Sequence, residues 1–210
     1  MNKATQLLVE QGKMLPLMEA FYTIQGEGFF SGTPAFFLRI GGCDVGCHWC
    51  DVKESWDANI HPPTHINDML TQIQATPAKT VVITGGEPLM WNMEPLTLLL
   101  KSHDYNTHIE TSGAYPLTGQ FDWICLSPKK NSPPLKAIIP MSHELKVIIH
   151  NKNDFNWSEQ YSNLTADDCK LFLQPEWSKE KEMMPIITNY VMQHPKWNIS
   201  LQTHKYMGIP

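Results

Sequence analysis

The stretch Ala35-Phe-Phe-Leu-Arg39-Ile40-Gly41-Gly42-Cys43-Asp-Val-Gly46-Cys47-His48-Trp49-Cys50 runs an apolar segment straight into three cysteines spaced C-x3-C-x2-C. Aromatic and branched residues from Ala35 to Ile40 predict a strand. Gly41, Gly42 and Gly46 let the following backbone wrap tightly enough for three thiolates to converge on one object. Three thiolates satisfy three irons of a [4Fe–4S] cube and leave the fourth open to an external small molecule, whereas electron-transfer clusters usually use four. Two plainer alternatives stand beside this. One is structural zinc with His48 as the fourth ligand, although His48 sits between two of the cysteines. The other is a chance group of buried thiols.

Working outward, the strand at Ala35 to Ile40 is followed by others predicted at Lys79 to Thr84, Asn106 to Glu110, Phe121 to Leu126, Glu144 to Ile149, Lys170 to Gln174 and Asn198 to Gln202. Val81-Val82-Ile83 and Val147-Ile148-Ile149 are continuous apolar runs, as in parallel strands covered on both faces. Ile66 to Ala75 carries Ile66, Met69, Leu70 and Ile73 at helical spacing, with Thr64 or Asn67 as its cap. Asn92 to His103 and Lys179 to His194 also predict helices, and the proline-rich Asn131 to Pro140 predicts a loop. This alternation argues for an α/β fold. A complete eightfold barrel needs about 250 residues, so the 210 here predict an abbreviated, partly open (β/α) barrel with about six core strands and few helices. The expected organisation is a single domain over residues 1–210, with residues 1–18 a loosely ordered extension.

The composition narrows the chemistry. A net charge of −5 leaves no overall basic field for phosphate neutralisation, so a nucleic-acid partner is excluded and a small substrate is expected. No apolar run approaches the roughly 20 residues of a membrane span, and no secretory pattern opens the chain. The expected address is the cytoplasm, with no membrane partner. Three of five cysteines in one cluster is not the layout of a secreted disulfide framework. Cys125 and Cys169 lie in apolar runs and are expected in the core.

The cysteine array, with Gly85-Gly86-Glu87-Pro88 at the end of an apolar strand, resembles the radical S-adenosylmethionine superfamily. Further stretches narrow the resemblance to its 7-carboxy-7-deazaguanine synthase family. These are Phe21-Tyr-Thr-Ile-Gln-Gly-Glu-Gly28, Ser31-Gly-Thr-Pro-Ala35, Glu110-Thr-Ser-Gly113, Ser127-Pro-Lys129, Leu173-Gln-Pro175 and Gln202-Thr-His-Lys-Tyr206 with Pro210. The resemblance implies a carbon–nitrogen lyase of queuosine and 7-deazapurine biosynthesis. Such an enzyme uses a 4Fe–4S cluster and S-adenosyl-L-methionine to contract 6-carboxy-5,6,7,8-tetrahydropterin to 7-carboxy-7-deazaguanine with loss of ammonia.

It also implies roles residue by residue: Cys43, Cys47 and Cys50 hold the cluster. Gly86, Glu87, Ser127, Pro128, Lys129, Gln174, Pro175, Glu176 and Trp177 contact the cofactor. Ile24, Gln25, Gly26, Glu27, Arg39, Thr84, His204 and Pro210 contact the pterin, the last through its terminal carboxylate. Arg39 presents a fork suited to a substrate carboxylate, and Glu87 can accept from an ammonium. A homodimer and an electron donor such as flavodoxin or ferredoxin are implied as partners.

One position departs from the family pattern. The family reads Cys-Asp-Thr after the cluster, and that threonine helps hold a magnesium ion that engages the substrate; here the line is Cys50-Asp51-Val52, and valine has no oxygen to give a hard cation. Magnesium (Mg2+) therefore remains an implied cofactor without an assigned ligand. Two other functions compete: an activating enzyme that installs a glycyl radical in a partner protein, and a non-catalytic zinc-binding module.

Overall fold

The structure, a computed structural model, describes residues 2–210; Met1 lies outside the described residues. Its strands are β1 (Met14–Ile24), β2 (Pro34–Ile40), β3 (Pro63–His65), β4 (Thr80–Gly85), β5 (Asn106–Thr111), β6 (Trp123–Leu126), β7 (Glu144–Ile149), β8 (Lys170–Pro175) and β9 (Trp197–Ile199). They form one sheet in the order β3-β1-β2-β4-β5-β6-β7-β8-β9. From β2 to β9 every pairing is parallel, while β1 lies antiparallel to β2 and β3 antiparallel to β1. The two ends of the sheet do not pair, so the barrel is open.

Helices α2 (Ile66–Gln74), α3 (Glu94–Lys101), α4 (Asn153–Ser162) and α5 (Glu180–Gln193) cover the outer face. The connections from β5 to β6 and from β6 to β7 contain no α-helix, which is how 210 residues suffice. The second of these is the proline-rich loop expected over Asn131 to Pro140, with one short turn of 3₁₀ helix at Ile139–Met141.

Successive strand residues alternate between two environments. Leu38, Ile83, Ile109, Leu145, Val147 and Leu173 face outward into the helices and are fully buried in the main core. Their neighbours Arg39, Thr84, Glu110, Lys146 and Gln174 face inward, and the register keeps them at matching heights: Arg39 pairs with Thr84, Glu110 with Cys125, and Ile148 with Gln174. Lower on the inner face, Ala35, Phe37 and Val82 pack with Phe21 into a small apolar plug. Cys125 and Cys169 are both buried, as expected.

Several expectations are corrected. Residues 1–18 are not a loose extension in their described part: Lys3–Glu10 forms helix α1, capped by Asn2, and β1 begins at Met14 with Leu15 fully buried. The long β1 escapes the sequence pattern because Pro16 sits inside it, at a position paired with the short edge strand β3. Helix α4 escapes because it is largely polar, burying only Asp154, Phe155 and Ser158. The cap of α2 is neither Thr64 nor Asn67 but His65, whose Nδ1 accepts from the Asn67 amide at 3.2 Å. The sixth strand starts at Trp123 and the last is Trp197–Ile199, each shorter or displaced from its predicted range.

Candidate active site

The inward residues at the C-terminal ends of the parallel strands, the loops after them and residues 202–210 enclose a cavity of about 570 Å³. This is the end at which barrel-like sheets build sites. Cys43, Cys47 and Cys50 line it together with Gly86, Glu87, Ser127, Lys129 and Gln174 to Trp177. So do Ile24, Gln25, Gly26, Glu27, Arg39, Thr84, His204 and Pro210. Of the predicted site residues only Pro128 stays off the wall, buried behind Ser127 and Lys129.

The cysteine loop leaves β2 and is fixed from two sides. Gly42 N donates to Ser55 O at 2.6 Å and Cys43 N to Trp56 O at 3.1 Å. The Asn131 amide donates to Gly46 O at 3.1 Å, and the Tyr115 hydroxyl donates to the Asp44 carboxylate. All three cysteines are free and partly exposed on the cavity side. His48 is exposed, lies off the cavity wall and stacks edge-on against His150, so it makes no fourth ligand. Among the described residues no three His, Cys, Asp or Glu form a single-ion site. Three thiols spread around one cavity, with no fourth protein donor, suit a cluster with an open iron. Burial pushes the Cys43 thiol up, aided by Glu87 and the sister thiols; burial also raises Cys47, against the pull of Lys129. The loop is thus poised to release protons as it is metallated.

The Gly-Gly-Glu-Pro turn is locked to this loop. Gly86 N donates to Ile40 O at 2.8 Å and Glu87 N to Gly42 O at 2.9 Å. A side chain at Gly86 would collide with the Gly42 carbonyl and Cys43, so only glycine permits the approach. Glu87 lines the cavity with its carboxylate already hydrogen-bonded. It is 1% exposed, and its carboxylate accepts from Leu89 N at 3.1 Å, Thr111 Oγ1 at 2.6 Å, Ser112 N at 2.8 Å and the Ser112 hydroxyl. Four donors fill its lone pairs. Its side chain, at the cavity wall, is also a strut between the turn and the end of β5.

Lys129 reaches back along its own motif, donating to Ser127 O at 2.6 Å and Ser127 Oγ at 2.7 Å, with Trp49 beneath at 5.8 Å. Burial lowers its pKa while the Cys47 thiol opposes that fall. Gln174, 2% exposed, accepts from Ser200 Oγ at 2.6 Å, and that oxygen accepts from Gly28 N at 2.9 Å. The end of β8 is thereby tied to the loop after β1.

The cavity floor holds a charge network that sequence reasoning missed. Lys146, 2% exposed, donates to Glu27 Oε2 at 2.6 Å and Glu110 Oε2 at 2.9 Å. Gln202 Nε2 holds the other Glu27 oxygen at 2.8 Å, and Gln25 Nε2 the other Glu110 oxygen at 3.0 Å. Burial alone would raise Glu27, but Lys146 and Gln202 bring it down to about 2. Burial likewise opposes the charge on Lys146, yet the surrounding acids hold it well above the usual lysine range. A lysine set between Leu145 and the apolar Val147-Ile-Ile149 of a strand was the available signal.

Residues 202–210 close the mouth. Thr203 N and Oγ1 both donate to Gly26 O, at 2.9 and 3.0 Å, and His204 packs flat on Gly26, where any side chain would strike its ring. Burial lowers the His204 pKa, partly countered by Glu27. Arg39 lines the cavity with Phe21 under its guanidinium at 5.7 Å; its Nε lies 2.7 Å from Glu19 without hydrogen-bond alignment. For magnesium the donors do not fit. Val52 offers only methyl groups, the Ser55 hydroxyl is turned to Val52 O at 2.7 Å, and Asp51 is paired with Lys205 Nζ at 2.9 Å.

Comparison with known proteins agrees with this geometry. A family model described as the Radical SAM superfamily matches residues 38–124. The chain is 59% identical over 210 residues to a 7-carboxy-7-deazaguanine synthase of Flavobacterium psychrophilum, covering all of both chains. It is 48% identical to one of Synechocystis, over 92% of this chain and 93% of that one, and 33% identical to one of Escherichia coli, over 92% and 98%. A solved structure titled as QueE from Escherichia coli superposes with a TM-score of 0.80 at 29% identity, covering 95% of this chain and 99% of the other.

Proposed function

The chain belongs to the 7-carboxy-7-deazaguanine synthase family of radical S-adenosylmethionine enzymes, and we propose that its cavity contracts 6-carboxy-5,6,7,8-tetrahydropterin to 7-carboxy-7-deazaguanine with release of ammonia. It is a carbon–nitrogen lyase of 7-deazapurine and queuosine biosynthesis. The observation that carries the proposal is that the cysteine loop and the Gly-Gly-Glu-Pro turn open into the same cavity as Gln25, Glu27, Arg39 and His204. Cofactor chemistry and substrate recognition thus share one space.

Cys43, Cys47 and Cys50 would hold a 4Fe–4S cluster, with S-adenosyl-L-methionine against the Gly85–Gly86 backbone, Ser127, Lys129 and the Gln174 to Trp177 stretch. Together these groups supply the initiating radical when bound. The chain's own work is placement and exclusion of water. The Arg39 guanidinium faces the cavity with its terminal nitrogens free of hydrogen bonds among the described residues, and suits the substrate carboxylate. Lys146 and Gln202 keep Glu27 ionised, and Glu27 and Glu110 both line the cavity, so carboxylate oxygens lie where they can meet the N–H edge of a pterin. Gly26 brings a backbone edge beside them, and the segment from Gln202 to Pro210 roofs the site against solvent.

The domain reading is a single radical S-adenosylmethionine unit over residues 1–210, supported by one sheet that takes in every strand. We place the enzyme in the cytoplasm as a homodimer fed by flavodoxin or ferredoxin. Among the described residues, no helix is long and apolar enough to cross a membrane. Anaerobic turnover of the pterin with S-adenosyl-L-methionine and dithionite tests the reaction. The deazaguanine and ammonia should appear in equal amounts; cofactor cleavage without either product would overturn the assignment.

A further inference from the structure

Asp51 and Val52 follow the last cysteine on the cavity wall, where the family pattern sets a hydroxyl beside a divalent cation. Magnesium takes oxygen ligands in near-octahedral geometry, and this wall presents few. Val52 carries only methyl groups. Ser55 is 1% exposed and its hydroxyl is committed to the Val52 carbonyl. Asp51 already has a cation, the Lys205 ammonium 2.9 Å from Oδ2.

Lys205 is held in place by more than this pair. Its Nζ also donates to Gln202 Oε1 at 3.2 Å and sits 4.6 Å from the Trp177 ring centre. Its backbone N donates to Gln202 O at 3.0 Å, two residues after Thr203, which is anchored to Gly26. Although Asp51 is 57% exposed, a carboxylate, an amide oxygen and an aromatic face together fix the ammonium of a side chain that is itself only 20% exposed. An ammonium has three donors. Asp51 and Gln202 take two, and the third is free for an anionic oxygen in the cavity.

We infer that Lys205 supplies, beside Asp51, the positive charge that a divalent cation would otherwise bring, so that this chain engages its substrate without magnesium. The inference rests on the proposed function for the identity of the anion, a pterin carboxylate, but the pairing itself is read from side chains of this chain.

The test uses the full chain with its cluster reconstituted. Manganese(II), a magnesium stand-in with its own paramagnetic resonance signal, is titrated in, and turnover is compared in EDTA and in Mg2+. The signal of free Mn2+ should persist into the millimolar range, and turnover should agree within about twofold between the buffers. Tight Mn2+ binding, or turnover that requires Mg2+, overturns the inference. Lys205→Met should raise the pterin KM about tenfold while cofactor cleavage continues, and Lys205→Arg should restore it to within about threefold. An unchanged KM in Lys205→Met overturns it as well. Lys205→Met combined with Val52→Thr frees Asp51 and returns a hydroxyl, so this double variant should bind Mn2+; if it stays silent, Lys205 is not what keeps the cation out and the inference falls. Because the titration needs no turnover, an enzyme that made no deazaguanine would fail the proposed function while Mn2+ still judged Lys205.

Discussion

Lys146 is the residue whose position is hardest to explain by stability alone. A well-packed apolar side chain would serve a barrel interior at least as well as a buried ion pair. Losing Lys146 alone is different: Lys146→Met should destabilise the fold by about 3 kcal/mol, because Glu27 and Glu110 would be left as half-buried charges held only by Gln202 and Gln25. Adding Glu110→Gln should return part of that loss, and urea unfolding of the two variants decides it. A single variant as stable as the parent would mean the network is open to water. Glu27 is depressed to about 2, below its ordinary 4.5. Its contribution is thus complete above pH 4.5 and fades as the pH falls towards 2. Arg39→Ala should raise the pterin KM at least tenfold without abolishing cofactor cleavage. Equal loss of both would assign Arg39 to folding through Glu19 and Phe21. These charges were only partly legible in the sequence. Arg39 adjoins the cysteine motif and Glu110 opens the Glu110-Thr-Ser-Gly113 stretch, whereas Lys146 carries no motif and its meaning appears only when neighbouring strands align it.

Between elements, two contacts stand out, one at the site and one away from it. The first is the turn after β4 against the loop after β2. Gly86→Ala must push Gly42 and Cys43 apart, so iron loading measured after anaerobic reconstitution should fall well below that of the parent, with a loss of about 1–3 kcal/mol. The second is the far corner where α4, α5 and β9 meet. There the Glu159 carboxylate accepts from Tyr190 Oη and Trp197 Nε1, both at 2.7 Å, and pairs with Lys196 Nζ at 2.5 Å. Burial would raise Glu159, but these partners bring it down to about 2. Its folded pKa is depressed, so its stabilisation is present above pH 4.5 and is lost as the pH falls towards 2. Glu159→Gln should cost on the order of 2 kcal/mol at pH 7, after allowance for its 29% exposure, and much less near pH 3. Equal destabilisation at both pH values would point to lost packing instead. Helix α2, with its regular apolar spacing, was readable from sequence almost to the residue. Helix α4 was not, since its stability comes from Phe155 stacked on Tyr190 and from Glu159, contacts that no local periodicity encodes.

Across the molecule, the parallel pairing from β2 to β9 was legible because apolar strands alternate with helices, and so was the shortage of helices that leaves the barrel incomplete. The antiparallel addition of β1 and β3 was not, because a strand carrying proline and pairing across 50 residues leaves no local trace. One continuous sheet predicts a single cooperative unfolding transition by calorimetry, moved upward when cluster and cofactor are bound. Two separate transitions would divide the chain into independent units.

The roof made by residues 203–210 has a consequence in time. During synthesis the cysteine loop emerges about 150 residues before Thr203, an interval of roughly 8–30 s at ordinary elongation rates. Throughout it no roof can stand over the three thiols, which are open to whatever delivers iron and sulfide. A chain stopped after Leu201 should accordingly take up iron faster than the full chain. The order in which the walls are made thus favours filling the site before it is closed.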